Sequence, residues 1–115
     1  MRAILIDPAK QTVTEVDYDG DYQSIYKLTD CTTFAVPYVL ENEDALYVDD
    51  EGLLNGPVNF FTIWGYPEPL AGKCLILGTD EDGKSVAAKS MIEDLDVRFV
   101  IPIQFPDHME WLRVA

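Results

Sequence analysis

The run Cys74-Leu75-Ile76-Leu77 constrains this chain more than any other feature. It offers no polar face to water, so it reads as a central strand covered on both sides. The remaining segments supply neighbours for it. Arg2 to Ile6 is a short apolar run, and Thr12 to Val16 is rich in β-branched residues. Asp7-Pro8-Ala9-Lys10 between them is a turn signal, so the pair reads as a β-hairpin. Phe34 to Leu40 alternates with strand period, with Pro37 marking an edge or a bulge because it cannot donate to a ladder. Ala45 to Asp49 reads as its returning strand after the polar turn Glu41-Asn42-Glu43-Asp44. Phe60 to Trp64 is another strand, broken by Gly65-Tyr66-Pro67-Glu68-Pro69. Val97 to Phe105 alternates, with Val97, Phe99, Ile101, Ile103 and Phe105 expected inward and Pro102 again suggesting an edge.

Two short helices are expected beside these strands. Tyr22, Ile25 and Tyr26 share a helical face, Asp21 is placed to cap it, and the helix should end near Thr29. Ser90-Met91-Ile92-Glu93 fits a capping box, and Ala88, Met91, Ile92 and Leu95 share a face. Asp107 to Leu112 reads as one further helical turn. The expected fold class is therefore α+β: a mostly antiparallel sheet of six or seven short strands with two short helices, in a single acidic domain over residues 1–115. The expected core is Ile4, Ile6, Ile25, Phe34, Leu75, Leu77, Ile92, Leu95, Phe99 and Ile101.

Charge limits the partners. Eight Lys and Arg stand against 21 Asp and Glu, a formal net charge of −13. Contact with nucleic-acid phosphates needs a cationic stripe, and docking on anionic lipid needs a basic patch, so neither partner is expected. The opening segment lacks a signal-peptide core, and no apolar stretch has the length of a membrane span. A cytoplasmic protein with free thiols at Cys31 and Cys74 is expected.

No arrangement of reactive groups reads as catalytic. The one histidine, His108, lies between Asp107 and Met109 and reads as a surface residue. Asp17, Asp19 and Asp21 have the spacing of a calcium loop's first ligands. The loop's Gly position holds Tyr22, and its bidentate Glu position holds Leu28. No resident metal or cofactor is expected. Asp49-Asp50-Glu51 offers a carboxylate base if burial tunes it, but reads more simply as a solvated turn. Gly72-Lys73 is not a phosphate loop, because Cys74 stands where Ser or Thr is needed.

The segments Tyr47-Val48-Asp49-Asp50-Glu51-Gly52, Gly65-Tyr66-Pro67, Pro69-Leu70-Ala71-Gly72-Lys73 and Gly78-Thr79-Asp80 carry a resemblance. They are similar to a family of small uncharacterised proteins of bacteriophages, prophages and mobile elements. The resemblance covers roughly residues 1–100, and the tail from Ile101 is less typical. It implies a source and a fold but no reaction. The matched residues become a shared surface or a shared turn scaffold.

Two functions follow as expectations. The first is a non-enzymatic acidic protein of phage or mobile-element origin that binds a basic host protein, in counter-defence or as a mimic of DNA. The second is a small-molecule or nucleotide-binding module using the 47–52 and 65–73 loops. The binding residues expected are Asp50, Glu51, Gly52, Tyr66, Leu70, Ala71, Gly72 and Lys73, with Trp64 or Tyr66 nearby as stacking surface.

Overall fold

The structure is a computed structural model that describes residues 1–51 and 59–114. Ten strands and one α-helix are assigned among them. The strands are β1 (Arg2–Asp7), β2 (Thr12–Asp17), β3 (Phe34–Val39), β4 (Ala45–Asp49), β5 (Phe60–Ile63), β6 (Leu70–Ala71), β7 (Cys74–Thr79), β8 (Ser85–Val86), β9 (Val97–Gln104) and β10 (Met109–Val114). The helix, α1, spans Gln23–Thr29, and Ile92–Asp94 forms a single 3-10 turn. Every strand pairing is antiparallel.

The first sheet has the order β2-β1-β7-β4-β3, with β8 pairing β7 at its end, and the second has the order β10-β9-β5-β6. β7 lies at the centre of the first sheet, where Cys74, Leu75, Ile76 and Leu77 are all fully buried. Alternation sends its residues to two different cores. Cys74 and Ile76 join Ile4, Ile6, Leu46 and Val48 against Phe61 and Ile63 of the second sheet. Leu75 and Leu77 join Ala3, Tyr18 and Ile25, the inward residue of α1. The molecule is thus three layers: helix, sheet, sheet. A third, smaller cluster of Phe60, Ala71 and Val100 lies on the outer face of the second sheet.

The α+β class with two helices is overturned. Strands dominate, α1 is the single α-helix described, and ten strands replace six or seven. The expected second helix fails because tertiary contacts occupy the groups that would start it. Ser90 is buried, and its hydroxyl accepts a hydrogen bond from Asn42 Nδ2 at 2.9 Å. The N–H groups of Lys89 and Ser90 donate to the Asp44 carboxylate. Arg2 Nη1 donates to the carbonyls of Ala88 and Ser90, at 2.9 and 2.7 Å. These bonds hold the segment extended, leaving only the 3-10 turn. The helical turn expected over Asp107 to Leu112 is also absent, since Met109–Val114 is β10.

Of the expected core, Ile4, Ile6, Ile25, Leu75 and Leu77 are buried. Phe34, Ile92, Leu95 and Phe99 are half-buried against it. Ile101 is half-buried in the part of β9 that continues past its pairing with β5. Along β9 only Val97 and Phe99 face the sheet–sheet core, and Val100 is buried on the opposite side. α1 ends at Thr29, and Asp21 Oδ1 accepts the Gln23 N–H at 3.0 Å at its start.

Both cysteines carry free thiols. Cys74 is sealed between the two sheets, while Cys31 follows α1 on the other side of the first sheet, half-buried, with Thr29 Oγ1 at 3.0 Å from its sulfur. Burial pushes both thiols above the usual cysteine range, and Cys74 by far the more. The thiolate is the reactive form, so both react sluggishly at neutral pH. In a thiol titration with Ellman's reagent, one thiol is expected to react slowly in the native protein and the second only in denaturant. Prompt reaction of both would contradict the placement of Cys74.

Candidate functional site

At the start of β4 the chain builds a cleft of about 370 Å³. Its construction begins with a turn. The Tyr66 N–H donates to the Ile63 carbonyl, and Gly65 has φ +97° at the third position of that turn. This left-handed geometry suits a type II turn and favours glycine. A side chain at 65 would also meet the Tyr38 hydroxyl oxygen at 2.4 Å. The turn leaves Trp64 displayed, with 76% of its surface exposed. The Trp64 N–H, donating to the Asp96 carbonyl at 3.1 Å, ties the turn to the segment before β9.

The opposite wall is the β3–β4 turn. Asp44 is fully buried, and its two carboxylate oxygens accept the Lys89 and Ser90 N–H groups at 2.7 to 3.0 Å. Its own N–H is held by Asn42 Oδ1 at 3.0 Å. Asp44 therefore positions the 88–91 segment against the turn, and with it Met91, half of whose surface is exposed. Tyr38, Leu40, Ile63, Trp64, Met91 and Leu95 give the cleft its apolar lining. Tyr38 is braced by Tyr66, with ring centroids 5.4 Å apart. Glu41, Asp94 and Asp96 stand around it, with Lys89 in the lining and Arg98 paired to Asp96 at 3.1 Å. The lining hydroxyl of Ser90 is bonded to the Asn42 amide, which is not a base. The arrangement can hold an apolar side chain and favour positive charge around it.

The residues expected from the sequence lie elsewhere. The register opposes Val48 to Cys74, which brings Asp50 and Glu51 to the same end of the sheet as Gly72 and Lys73. That is the far end of β4 from the cleft. Gly52 lies outside the described residues. Glu51 N–H is held by Asp49 Oδ1, and the Asp50 N–H by the Thr33 carbonyl. Lys73 is bonded to Asp30 at the end of α1, which raises its pKa through that hydrogen bond. Leu70 packs against the sheet–sheet core and Ala71 against Phe60 on the outer face. Tyr66 is half-buried behind Tyr38, and Trp64 belongs to the cleft rather than to these loops. Asp17, Asp19 and Asp21 are engaged with the N-terminal amine, Ser24 and Gln23 respectively. Among the described residues, no group of three or more His, Cys, Asp or Glu converges as a metal site would. No helix among them is long and apolar enough to cross a membrane.

Sequence reasoning missed Leu40, Asn42, Lys89, Met91 and Leu95. The usable signal was local: a tryptophan followed directly by glycine marks an aromatic displayed on a turn. Nothing local marked the Asp44 carboxylate, whose partners are more than 40 residues away.

The fold and cleft define a helix-backed, two-sheet antiparallel β protein with an acidic, aromatic cleft. Residues 1–99 match a domain of unknown function, DUF3846, and the chain belongs to that family. It is also similar to the uncharacterized protein y4iR of Sinorhizobium fredii (strain NBRC 101917 / NGR234). The two are 32% identical over 100 residues, covering 84% of this chain and 61% of the relative. The chain thus matches less than two-thirds of that relative's length. No solved structure matches.

Proposed function

We propose that the protein is a non-enzymatic binding module whose cleft holds a basic segment of a partner protein, with Trp64 stacking on an apolar or aromatic anchor residue. One observation carries this reading: a large aromatic side chain stands 76% exposed beside an apolar cleft lined by Glu41, Asp94 and Asp96. Tryptophan is enriched among the residues that carry most of the binding energy at protein interfaces. A net charge of −13 steers basic partners toward such a surface. The resemblance to phage, prophage and mobile-element proteins supports a bacterial host protein as the partner.

Mimicry of DNA is the less favoured form of this reading. Five of the carboxylates are engaged in turns. Those of Asp7, Asp19, Asp21, Asp49 and Asp80 accept backbone N–H groups there. Such acids terminate strands and cap turns, roles that need no partner.

The test is titration calorimetry with lysine- and arginine-rich peptides that carry one central leucine or tryptophan. Binding is expected at low salt and should weaken steeply as the ionic strength rises. Trp64→Ala should weaken it by roughly tenfold or more, with the melting temperature unchanged, because the side chain is exposed. Undiminished binding by that variant would refute the cleft. A thermal shift with nucleotides, and none with the peptides, would favour the small-molecule reading instead.

A further inference from the structure

We propose that β10 is the interface through which two copies of this chain join, pairing edge to edge into one continuous sheet. β10 is an edge strand with β9 on one side and no described strand on the other. An open edge is a template for another strand, and proteins guard such edges with proline, bulges, charge or short length. The other edges here are guarded. β3 carries Pro37 and a register shift between Ala35 and Tyr38. β6 and β8 are two residues long. β2 carries Glu15 and ends in Asp17.

β9 is guarded as well. Its pairing with β5 stops at Val100, and past that point its open side carries Pro102. The Asp96 carbonyl faces β5, accepting the Trp64 N–H, so by alternation residue 102 also points away from β10. Pro102 thus stands where a free N–H would otherwise be. β10 has no proline, bulge or short length, and its charges are not of one sign as those of β2 are. It has six residues in unbroken register with β9, without proline, and only one charge of each sign, Glu110 and Arg113.

The alternation also fixes which backbone groups are open. The Phe105 N–H donates to the His108 carbonyl at 2.8 Å, closing the hairpin. Counting from that pair, Met109, Trp111 and Arg113 turn their N–H and C=O groups away from β9. A two-fold axis through Trp111 sets Met109 opposite Arg113 of the second copy and Trp111 opposite its own equivalent. All three open residues are then used, with about six backbone hydrogen bonds at two per pair. Trp111 already contacts Phe60 edge-on at 4.9 Å. The joined sheet extends that apolar outer face across the axis.

Charge selects a second copy as the occupant. Residues 97–115 carry Arg98 and Arg113 against Asp107 and Glu110, so the full −13 belongs to residues 1–96. Two such acidic bodies repel wherever they meet, and the neutral hairpin is where they can approach. A basic partner gains nothing from a neutral surface. The hairpin also lacks cover of its own, with Phe105, Met109, Trp111 and Leu112 each between 39% and 49% exposed. A two-stranded ribbon is marginal alone in water, and pairing makes it four-stranded.

Sedimentation equilibrium of the whole chain in reducing buffer tests this. The expected mass is twice the 13.0 kDa of the chain at concentrations on the order of 10 µM. Arg113→Pro repeats in β10 the guard that Pro102 supplies in β9, removing an open donor while leaving the β9 pairing intact. It should weaken the dimer by roughly 100-fold. Trp111→Lys, which opposes two ammonium groups at the axis, should do the same; melting curves of both variants establish that they fold. A wild-type chain that stays monomeric to about 1 mM overturns the proposal. A dimer that folded Arg113→Pro and Trp111→Lys chains form with wild-type affinity overturns it too.

Discussion

Replacing Asp44 by alanine is expected to destabilise the protein by about 2–5 kcal/mol, at roughly 1–3 kcal/mol for each buried donor left unpaired. The carboxylate is fully buried and accepts the N–H groups of Lys89 and Ser90, one of them at 2.7 Å. Hydrogen bonds to an ionised acceptor are stronger than neutral ones, and the alanine variant leaves two donors facing a cavity. Asp44→Asn should recover only part of the loss, because the amide N–H₂ would point at a backbone N–H. Urea denaturation, read as a shift of midpoint at constant slope, measures this. A loss below about 1 kcal/mol would mean that the 88–91 segment is held by other contacts. The same variant should loosen the cleft wall, since Met91 follows directly from the two anchored amides. Peptide binding and stability would then fall together, whereas Trp64→Ala separates them.

Asp44 also marks the limit of what the sequence made legible. The parts read correctly were those whose determinants are local. Asp7-Pro8 fixes a turn, and β1 and β2 stand on either side of it in a six-pair register. Four apolar residues in a row require cover on both faces, and β7 has it. α1 stops at Thr29, where Asp30 takes up a left-handed conformation with φ +52°. The parts misread had local signals that distant contacts overrode. Ser90 does act as an acceptor, but for Asn42 across the fold rather than for the next turn of a helix. Asp107 to Leu112 read as a helical turn, yet Phe105 stacks on the His108 ring at 4.7 Å and its N–H donates to the His108 carbonyl, closing a hairpin there. The site was partly legible for the same reason. Trp64 stood out as a stacking surface, but the walls that make it a cleft come from three separate stretches of chain. Glycine and acidic motifs drew attention to residues 50–52 and 70–73. There the Asp49 carboxylate accepts the Glu51 N–H, and Lys73 is bonded to Asp30 at the end of α1.

The second large effect is expected at Leu77. Leu77→Ala should cost about 2–5 kcal/mol, because the side chain is fully buried and its loss leaves a cavity between the first sheet and α1. Val39→Ala, at an exposed edge position, should cost under about 0.5 kcal/mol and serves as the control. Magnitude alone does not test the layering, but coupling does. Leu77 shares its core with Ile25 of α1, whereas Phe61 lies in the other core, across the sheet. In double-mutant cycles, Leu77→Ala with Ile25→Ala should depart from additivity by about 0.5 kcal/mol or more, since both truncations open one cavity. Leu77→Ala with Phe61→Leu should be additive within about 0.5 kcal/mol, because the backbone of the sheet separates the two sites. Strong coupling of Leu77 to Phe61, with none to Ile25, would place the side chain between the sheets. β7 would then be shifted by one residue, and every pairing with β1 and β4 would have to change with it.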